Sequence, residues 1–465
     1  MKVNIGSQKV NFTTLAEICG GTYIGCDHEF DSMCTDSREA TYSSVFCAMK
    51  GERVDGHDYI EKAYAMGCRC VIAERVPTNF APTDMNFVLV DYTVHAMNSF
   101  AESYLQKRDH RKIAITGSVG KTTTKEFVSF VFDESSVYKT KGNYNSTVGL
   151  PLSVLEIPKE ASVAVLEMGM SDLGEIELMS KTVKPDIAII TNIGSSHLEK
   201  LGSRENIKKA KLEIVSGMKE NGILLVNADD PMLSELDVKV SVMSVGIDNI
   251  SCDFRAINIE EDENGTSFSI LAKGKQIDGF MIPVLGKHNV YAALFAYAAA
   301  SLSGESDADI AKRLCRFEKP KMRQNIFELG GITIIEDCYN ASPESMKAAL
   351  EVQSGISERN QNRRTVALLG NMLELGEGTL ELHRSVGEYA AEKKLQKLVT
   401  FGELASEIAD ASGISDAVRI EDTTAHEKAA DALMSILKKG DILLVKASRG
   451  VAAEKIIEIL KERMK

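Results

Sequence analysis

Strand-like apolar runs alternate with amphipathic helical stretches along almost the whole of this 465-residue chain. That alternation confines it to α/β layering. In the first hundred residues SVFCAMK reads as a strand, GHDYIEKAYAMGC as a helix, and CVIAER and FVLVDY as strands. HAMNSFAESYLQKRDHR reads as a helix running into a polar linker, which sets a boundary at 108. A second group of strands follows at KIAIT, SVAVLEMG, DIAIITNI and GILLVNADD. From about Val238 to Pro283 the pattern becomes alternating and glycine-punctuated, the texture of a small antiparallel sheet added to the main one. Beyond the linker CRFEKPKMRQ (315–324), the runs ITIIEDCYN, TVALLGN, KLVTFG and DILLVKAS are each followed by a helical pattern, as in an open Rossmann-like sheet. In NASPESMKAAL, Ser342 suits an N-cap, with Pro343 in the first helical turn. The expected domains are therefore 1–108, 109–316 and 317–465, in keeping with roughly 150 residues per domain.

The bulk numbers exclude several classes. A net charge of −13 speaks against a general nucleic-acid binder, while leaving room for a local basic pocket that takes a small anion. The longest apolar stretch, Val290 to Leu302, is too short to span a bilayer and has the alanine content of a packed helix. MKVNIGSQKVNF lacks the apolar centre of a signal peptide, so a cytoplasmic location is expected. None of the nine cysteines forms a C-x-x-C pair; Cys68 and Cys70 read as buried small hydrophobes sharing one strand face.

The chemistry concentrates in AITGSVGKTTTKEF, residues 114–127. Strand, glycine turn, Gly-Lys-Thr and helix together aim backbone N–H groups at phosphate oxygens. Lys121 would pair with β/γ-phosphates and Thr122 would offer its hydroxyl to Mg²⁺. The common form, G-x-x-x-x-G-K-[ST], requires glycine at 115, where this chain has Ile115. A tighter loop is therefore expected. Glu167 ends one neighbouring strand and His197 follows another. Ligands of open parallel sheets sit beyond the carboxyl ends of the strands, so these two side chains can converge on a metal at the phosphates. Read singly, Glu167 could cap a turn and His197 could be an ordinary surface imidazole. Lys211, in NIKKAKLEIV, belongs by charge alone to a solvated basic face with Lys208 and Lys209.

Taken together, the motifs resemble those of the ATP-dependent Mur ligases of peptidoglycan synthesis, over nearly the whole chain. TGSVGKTTTKE is similar to that family's short P-loop, which accounts for the absent glycine. GNYNSTVGLPLSVL (142–155) resembles an element typical of the D-alanyl-D-alanine-adding branch. LEMGMSDLGEI, TNIGSSHLEKLGSRENIKKAKLEI, VNADDP, GKHNVYAALFA, EDCYNASPESM, LLGNMLELGEGTLELH and VKASRG follow in family order. TDSREATYSSVFCAMKGERVDGHDYI resembles a UDP-sugar-binding first domain.

The resemblance implies roles for particular residues. Gly117, Ser118, Gly120, Lys121, Thr122 and Thr123 would hold ATP phosphates, with Thr122 and Glu167 on a first Mg²⁺ and His197 on a second. Lys211 would be carbamylated, turning a cation into an anionic oxygen ligand. Asn289, Arg323 and Asp337 would reach the nucleotide from across a cleft. Asp36, Ser37, Arg38, Lys50, Gly51, Asn143 and Asn145 would face the UDP-linked substrate. The implied fold is a small UDP-substrate domain, a central P-loop domain and a Rossmann-like ligase domain. The implied catalytic set is Lys121, Glu167, His197 and Lys211. The implied reaction adds D-alanyl-D-alanine to UDP-N-acetylmuramoyl-tripeptide through an acyl phosphate, carried out by a monomer. Two positions depart from the family pattern: Ala292 stands where a second Asn is expected and Met322 where glycine often precedes the linker arginine.

Other readings stay open at this point. The neighbouring diamino-acid-adding ligase typically carries an Asp-Asn-Pro-Arg run, which this chain lacks. A folate-polyglutamate ligase leaves the first domain unexplained. A P-loop kinase or GTPase leaves the third domain without a role, and no guanine-reading Asn-Lys-x-Asp run is present. A non-catalytic nucleotide sensor would not need Lys121, Glu167, His197 and Lys211 together.

Overall fold

A computed structural model describes every residue except 7, 8, 52, 79, 81, 320, 321 and 465. Two of these, 320 and 321, fall in the linker expected at 315–324.

The N-terminal sheet has six strands, in the order Lys2–Asn4, Ser32–Cys34, Ser44–Cys47, Cys70–Ala73, Asn86–Leu89 and Thr22–Ile24. Its four inner strands run parallel and its two edges are antiparallel. Cys70 opens its strand, whereas Cys68 lies before it; both are buried, and the Cys68 thiol donates to the carbonyls of Ser44 and Cys70. All nine cysteines are free. Helix α1 (Thr93–Gln106) joins this sheet to the next, since Ala96, Met97 and Phe100 pack into the first core while Ala101 and Leu105 enter the second.

The central sheet contains β1 (Arg111–Thr116), β2 (Val137–Lys139), β3 (Val163–Glu167), β4 (Ile187–Ile190), β5 (Ile223–Asn227), β6 (Ser241–Gly246), β7 (Phe254–Glu261), β8 (Thr266–Ala272) and β9 (Lys275–Ile282). Their spatial order is β2-β3-β1-β4-β5-β6-β7-β8-β9. β2 to β6 all run parallel with β1. The antiparallel part begins later than the texture suggests. β6 and β7 are still parallel with their neighbours; only β8 runs against the rest, and β9 turns back again, all in the same hydrogen-bonded sheet and not a separate one. The inner parallel strands carry continuous apolar runs, over 113–115, 163–166 and 187–190, because helices cover both faces. One face is packed by α2 (Lys121–Phe130) and, after α3 (Arg204–Leu212) on the other side, by α4 (Lys287–Leu302). In α4 residues 292–300 are all buried, which explains an alanine-rich helix with no polar stripe.

The third sheet runs β10 (Asn325–Leu329), β11 (Ile332–Glu336), β15 (Ile442–Lys446), β12 (Thr365–Gly370), β13 (Lys397–Phe401) and β14 (Val418–Ile420), parallel apart from the β10 edge. Helix α5 (Pro343–Arg359) starts as expected: Ser342 and Ser345 form a reciprocal capping box, with Pro343 in the first turn. Among the described residues, no helix is long and apolar enough to cross a membrane.

Candidate active site

The absent glycine of the P-loop is explained by the sheet. Ile115 lies inside β1, fully buried, with Glu167 of β3 and Ile189 of β4 as its neighbours in register. The turn starts only at Gly117. There φ is +146°, and a Cβ would come within 1.9 Å of Thr191 Oγ1, so only glycine fits. The segment after β4 then grips the loop. The backbone carbonyl of Asn192 accepts the Ser118 N–H at 3.0 Å, its side-chain oxygen accepts the Val119 N–H at 2.9 Å, and Thr191 Oγ1 donates to the Val119 carbonyl at 2.6 Å. Gly120, at φ +84°, caps α2 and leaves the first amides of the helix without intrahelical partners. Lys121 Nζ curls back onto the Gly117 carbonyl at 2.7 Å.

Three adjacent strands, β3, β1 and β4, thus deliver their carboxyl-terminal residues to one rim. Thr122 Oγ1 and Asn145 Nδ2 both donate to Glu167 Oε1, at 3.1 and 2.8 Å. Glu167 Oε2 is enclosed with no hydrogen-bond donor and lies 3.6 Å from the buried Lys125 ammonium. Lys125, one turn after Lys121, also donates to the Thr140 carbonyl at 2.9 Å. His197 adopts a left-handed backbone, φ +64°, and its Nδ1 pairs with Glu374 Oε2 of the third sheet's unit at 2.9 Å. That contact holds the Glu374 carboxyl below its usual range. Beside it, the Ser195 N–H and hydroxyl both donate to Glu344 Oε1, at 2.9 and 3.0 Å.

Lys211 does not share the solvated face of Lys208 and Lys209. It is 1% exposed and has no hydrogen-bond partner among the described residues. Burial pushes its amine well below the ordinary lysine range, and the charge of Lys121 pushes it further the same way. Lys121 is lowered too, first by burial and then by Arg323, against the pull of Glu167.

These side chains line a cleft of about 520 Å³ between the central and third sheets. Of the residues expected at the nucleotide and metal, Ser118, Gly120, Lys121, Thr122, Thr123, Glu167, His197, Asn289, Arg323 and Asp337 line it; Gly117 underlies it, and Lys211 is enclosed beside it. Asn145 lines it as well, whereas Asn143 is exposed outside it. Asp36, Ser37, Arg38, Lys50 and Gly51 lie away from it on the N-terminal unit. There the Arg38 fork is engaged with the Asp36 carboxylate, with Nε and Nη2 at 2.9 and 2.6 Å, while the Gly51 N–H donates to the Val54 carbonyl. Asp337 has both oxygens occupied, one by Lys446 Nζ at 2.5 Å and the other by the Gln324 N–H at 3.3 Å. Arg323 rests on the Tyr339 ring at 4.1 Å. Met322, at φ +62°, occupies a conformation that glycine adopts without cost, so the family departure here carries backbone strain. Ala292 lines the cleft as a bare methyl.

Lys125, Gln324, Glu344, Glu374 and Lys446 were not legible as site residues. Lys125 alone left a signal, its i, i+4 spacing from Lys121; the others approach only through tertiary packing.

Chemically, the cleft of this acidic chain gathers four cations, Lys121, Lys319, Arg323 and Lys446, among the carboxylates of Glu167, Glu175, Asp337 and Glu344, so it offers both partners for phosphate oxygens and acceptors for a metal ion. Among the described residues no three His, Cys, Asp or Glu side chains converge into a metal cage. What is present is the unpartnered Glu167 oxygen beside the Thr122 hydroxyl, together with the unpartnered Ser118 hydroxyl. This sparse hard-oxygen set fits Mg²⁺, which keeps waters and takes substrate oxygens as ligands.

Comparison with known proteins agrees in extent. Residues 115–300 match the model of the Mur ligase middle domain, 321–449 the Mur ligase glutamate ligase domain, and 29–104 the Mur ligase family catalytic domain. The chain is 38% identical over 455 residues to UDP-N-acetylmuramoyl-tripeptide--D-alanyl-D-alanine ligase of Bacillus subtilis, covering 96% of this chain and 97% of that one. It is similar to a crystal structure of MurF from Acinetobacter baumannii at 30% identity and a TM-score of 0.88, covering 98% and 99% of the two chains. It is also similar to the MurF ligase of Thermotoga maritima in complex with ADP, at 31% identity and a TM-score of 0.81, covering 93% and 97%.

Proposed function

The chain belongs to the Mur ligase family, and from that membership we propose that it joins D-alanyl-D-alanine to UDP-N-acetylmuramoyl-tripeptide in an ATP-dependent step of peptidoglycan precursor synthesis. The observation that carries the reading is the rim at which Lys121 and Thr122, Glu167 and His197 meet from three adjacent strands, facing Arg323 and Lys446 of the third unit across the cleft.

A carboxylate is a poor electrophile at neutral pH. Transfer of the ATP γ-phosphoryl group to the terminal carboxylate of the tripeptide gives an acyl phosphate and ADP. The dipeptide amine attacks that carbonyl, and inorganic phosphate leaves from the tetrahedral intermediate as the amide forms. Lys121 and the first amides of α2 hold the phosphates, and Arg323 offsets the charge of two approaching anions. Closure of the third unit over the cleft, through Glu344 on Ser195 and Glu374 by His197, keeps water from the acyl phosphate. Thr122 and Glu167 would hold one Mg²⁺, and His197 with a carbamylated Lys211 a second. Bound there, the ions supply charge neutralisation and polarise phosphoryl oxygens. Carbamylation needs a neutral amine, and the burial that lowers the Lys211 pKa favours that form.

The domains of this reading are 1–108, carrying Asp36, Ser37, Arg38, Lys50 and Gly51 toward the UDP part; 109–316, with Asn143 and Asn145 toward the same substrate; and 317–465. In this reading the chain acts as a monomer, since the cleft needs no residue from a second copy, and works in the cytoplasm, where ATP is at hand.

A substrate panel tests the reading. Phosphate release is expected only with both UDP-N-acetylmuramoyl-tripeptide and D-alanyl-D-alanine. Release indifferent to either, or turnover with a UDP-linked dipeptide and a diamino acid, overturns it.

A further inference from the structure

Part of the cleft is apolar, lined by Val284, Ala292, Phe295 and Phe317, and Phe317 stacks on Phe127 at 3.7 Å. A flat base would fit such a wall, and Asn289 lines the cleft from the same helix as Ala292 and Phe295, three and six positions before them. Asn289 Nδ2 donates to the Leu285 carbonyl at 2.8 Å and to Gln324 Oε1 at 2.7 Å; Gln324 Nε2 donates to the same Leu285 carbonyl at 2.9 Å. A backbone carbonyl can only accept. It therefore fixes the orientation of both amides, because flipping either would set oxygen against oxygen. Both amide N–H groups of Asn289 are consumed, and Oδ1, which has no partner among the described residues, is left to the cleft as an acceptor.

Gln324 is held more firmly than a linker residue needs to be. Its backbone is left-handed, φ +49°; its N–H donates to Asp337 Oδ1 at 3.3 Å and its carbonyl accepts from Lys319 Nζ at 2.9 Å. An over-determined strained residue lining a cleft marks a built position. With Ala292 replacing the second asparagine, Asn289 is the only asparagine that α4 offers the base.

We infer that Gln324 is a positioning residue for base selection: it locks Asn289 Oδ1 outward to accept the exocyclic amino group of adenine and to repel the 6-oxo group of hypoxanthine or guanine. The inference rests on the nucleotide reading of this cleft and does not require the ligase reaction. Calorimetric titration of the full chain with ADP and IDP tests it. The wild type is expected to prefer ADP about tenfold, the worth of one buried hydrogen bond against a repelled one. Gln324→Leu is expected to lose most of that preference through weaker ADP binding, with IDP binding and melting temperature nearly held. Asn289→Leu is expected to lose it likewise, and decides the matter if the first variant does not fold. Equal binding of ADP and IDP by the wild type, or a preference that survives either substitution, overturns the inference. So does an equal loss of both ligands in Gln324→Leu. Binding of neither nucleotide removes the nucleotide site itself. A selective ADP site with no ligation in the substrate panel leaves the base inference standing and overturns only the reaction.

Discussion

Thr122 and Glu167, brought from the start of a helix and the end of the neighbouring strand, share one hydrogen bond of 3.1 Å that uses only Oε1 of the carboxylate. The other oxygen is enclosed, unpaired by any donor, and faces a buried lysine. A carboxylate held this way is ordered before any ligand arrives.

Glu167→Gln keeps an acceptor for Thr122 while removing the charge. Turnover is expected to fall roughly 10- to 100-fold, the usual cost of disturbing a metal ligand. In calorimetry, the gain in ADP affinity on adding Mg²⁺ should vanish while metal-free binding stays. A variant that retains the Mg²⁺ effect refutes the assignment.

Lys211→Met should abolish turnover yet raise the melting temperature in metal-free buffer stripped of carbon dioxide. Burial lowers the folded-state pKa of this amine, so the unfolded chain binds the extra proton up to its ordinary value of 10.5. Wild-type stability therefore rises with pH across that window, and the gap between variant and wild type should narrow as pH climbs. A gap independent of pH would show that Lys211 is not a buried amine. Partial rescue of Lys211→Ala by small carboxylates is the companion result.

His383 sets an acid limit. It is buried; its Nε2 accepts the Met372 N–H at 2.9 Å and its Nδ1–H donates to the Thr379 carbonyl at 2.7 Å, so the native ring is neutral. Burial lowers its pKa below 6.5. The unfolded chain protonates first, so stability present above that pH is lost as pH falls through the window below it. His383→Gln should flatten this part of the stability–pH curve; an unchanged slope would assign it to other groups.

Glu374→Ala should change folding stability by no more than about 1 kcal/mol, as expected for a largely exposed polar contact. Its effect should fall on substrate-dependent turnover, because the residue ties His197 to the third unit. If Glu374→Ala turns over as the wild type does, the contact is incidental.

The alternation of apolar runs showed the three layered units, and the P-loop showed where phosphate chemistry would lie, because both are local in sequence. Glu167 and His197 were legible through their place at strand ends. Lys211 was not. Its neighbours Lys208 and Lys209 are partly or fully exposed, and only the packing of α3 against the sheet encloses it. Glu344, Glu374 and Gln324 act across 149, 177 and 35 positions of sequence, from Ser195, His197 and Asn289. No spacing rule reaches that far. The late onset of the antiparallel strands was hidden because β6, SVMSVG, is exposed at its start and buried only at its end, so it lacks the continuous apolar run of an inner parallel strand although it pairs in parallel with β5.

Position 117 has room for a hydrogen and nothing larger, with Thr191 pressed against it. A small molecule that drew its affinity from the main chain of this turn would therefore rest on a surface with few escape routes. A side chain introduced there to evict the drug would collide with the protein's own threonine and spoil the phosphate grip in the same stroke.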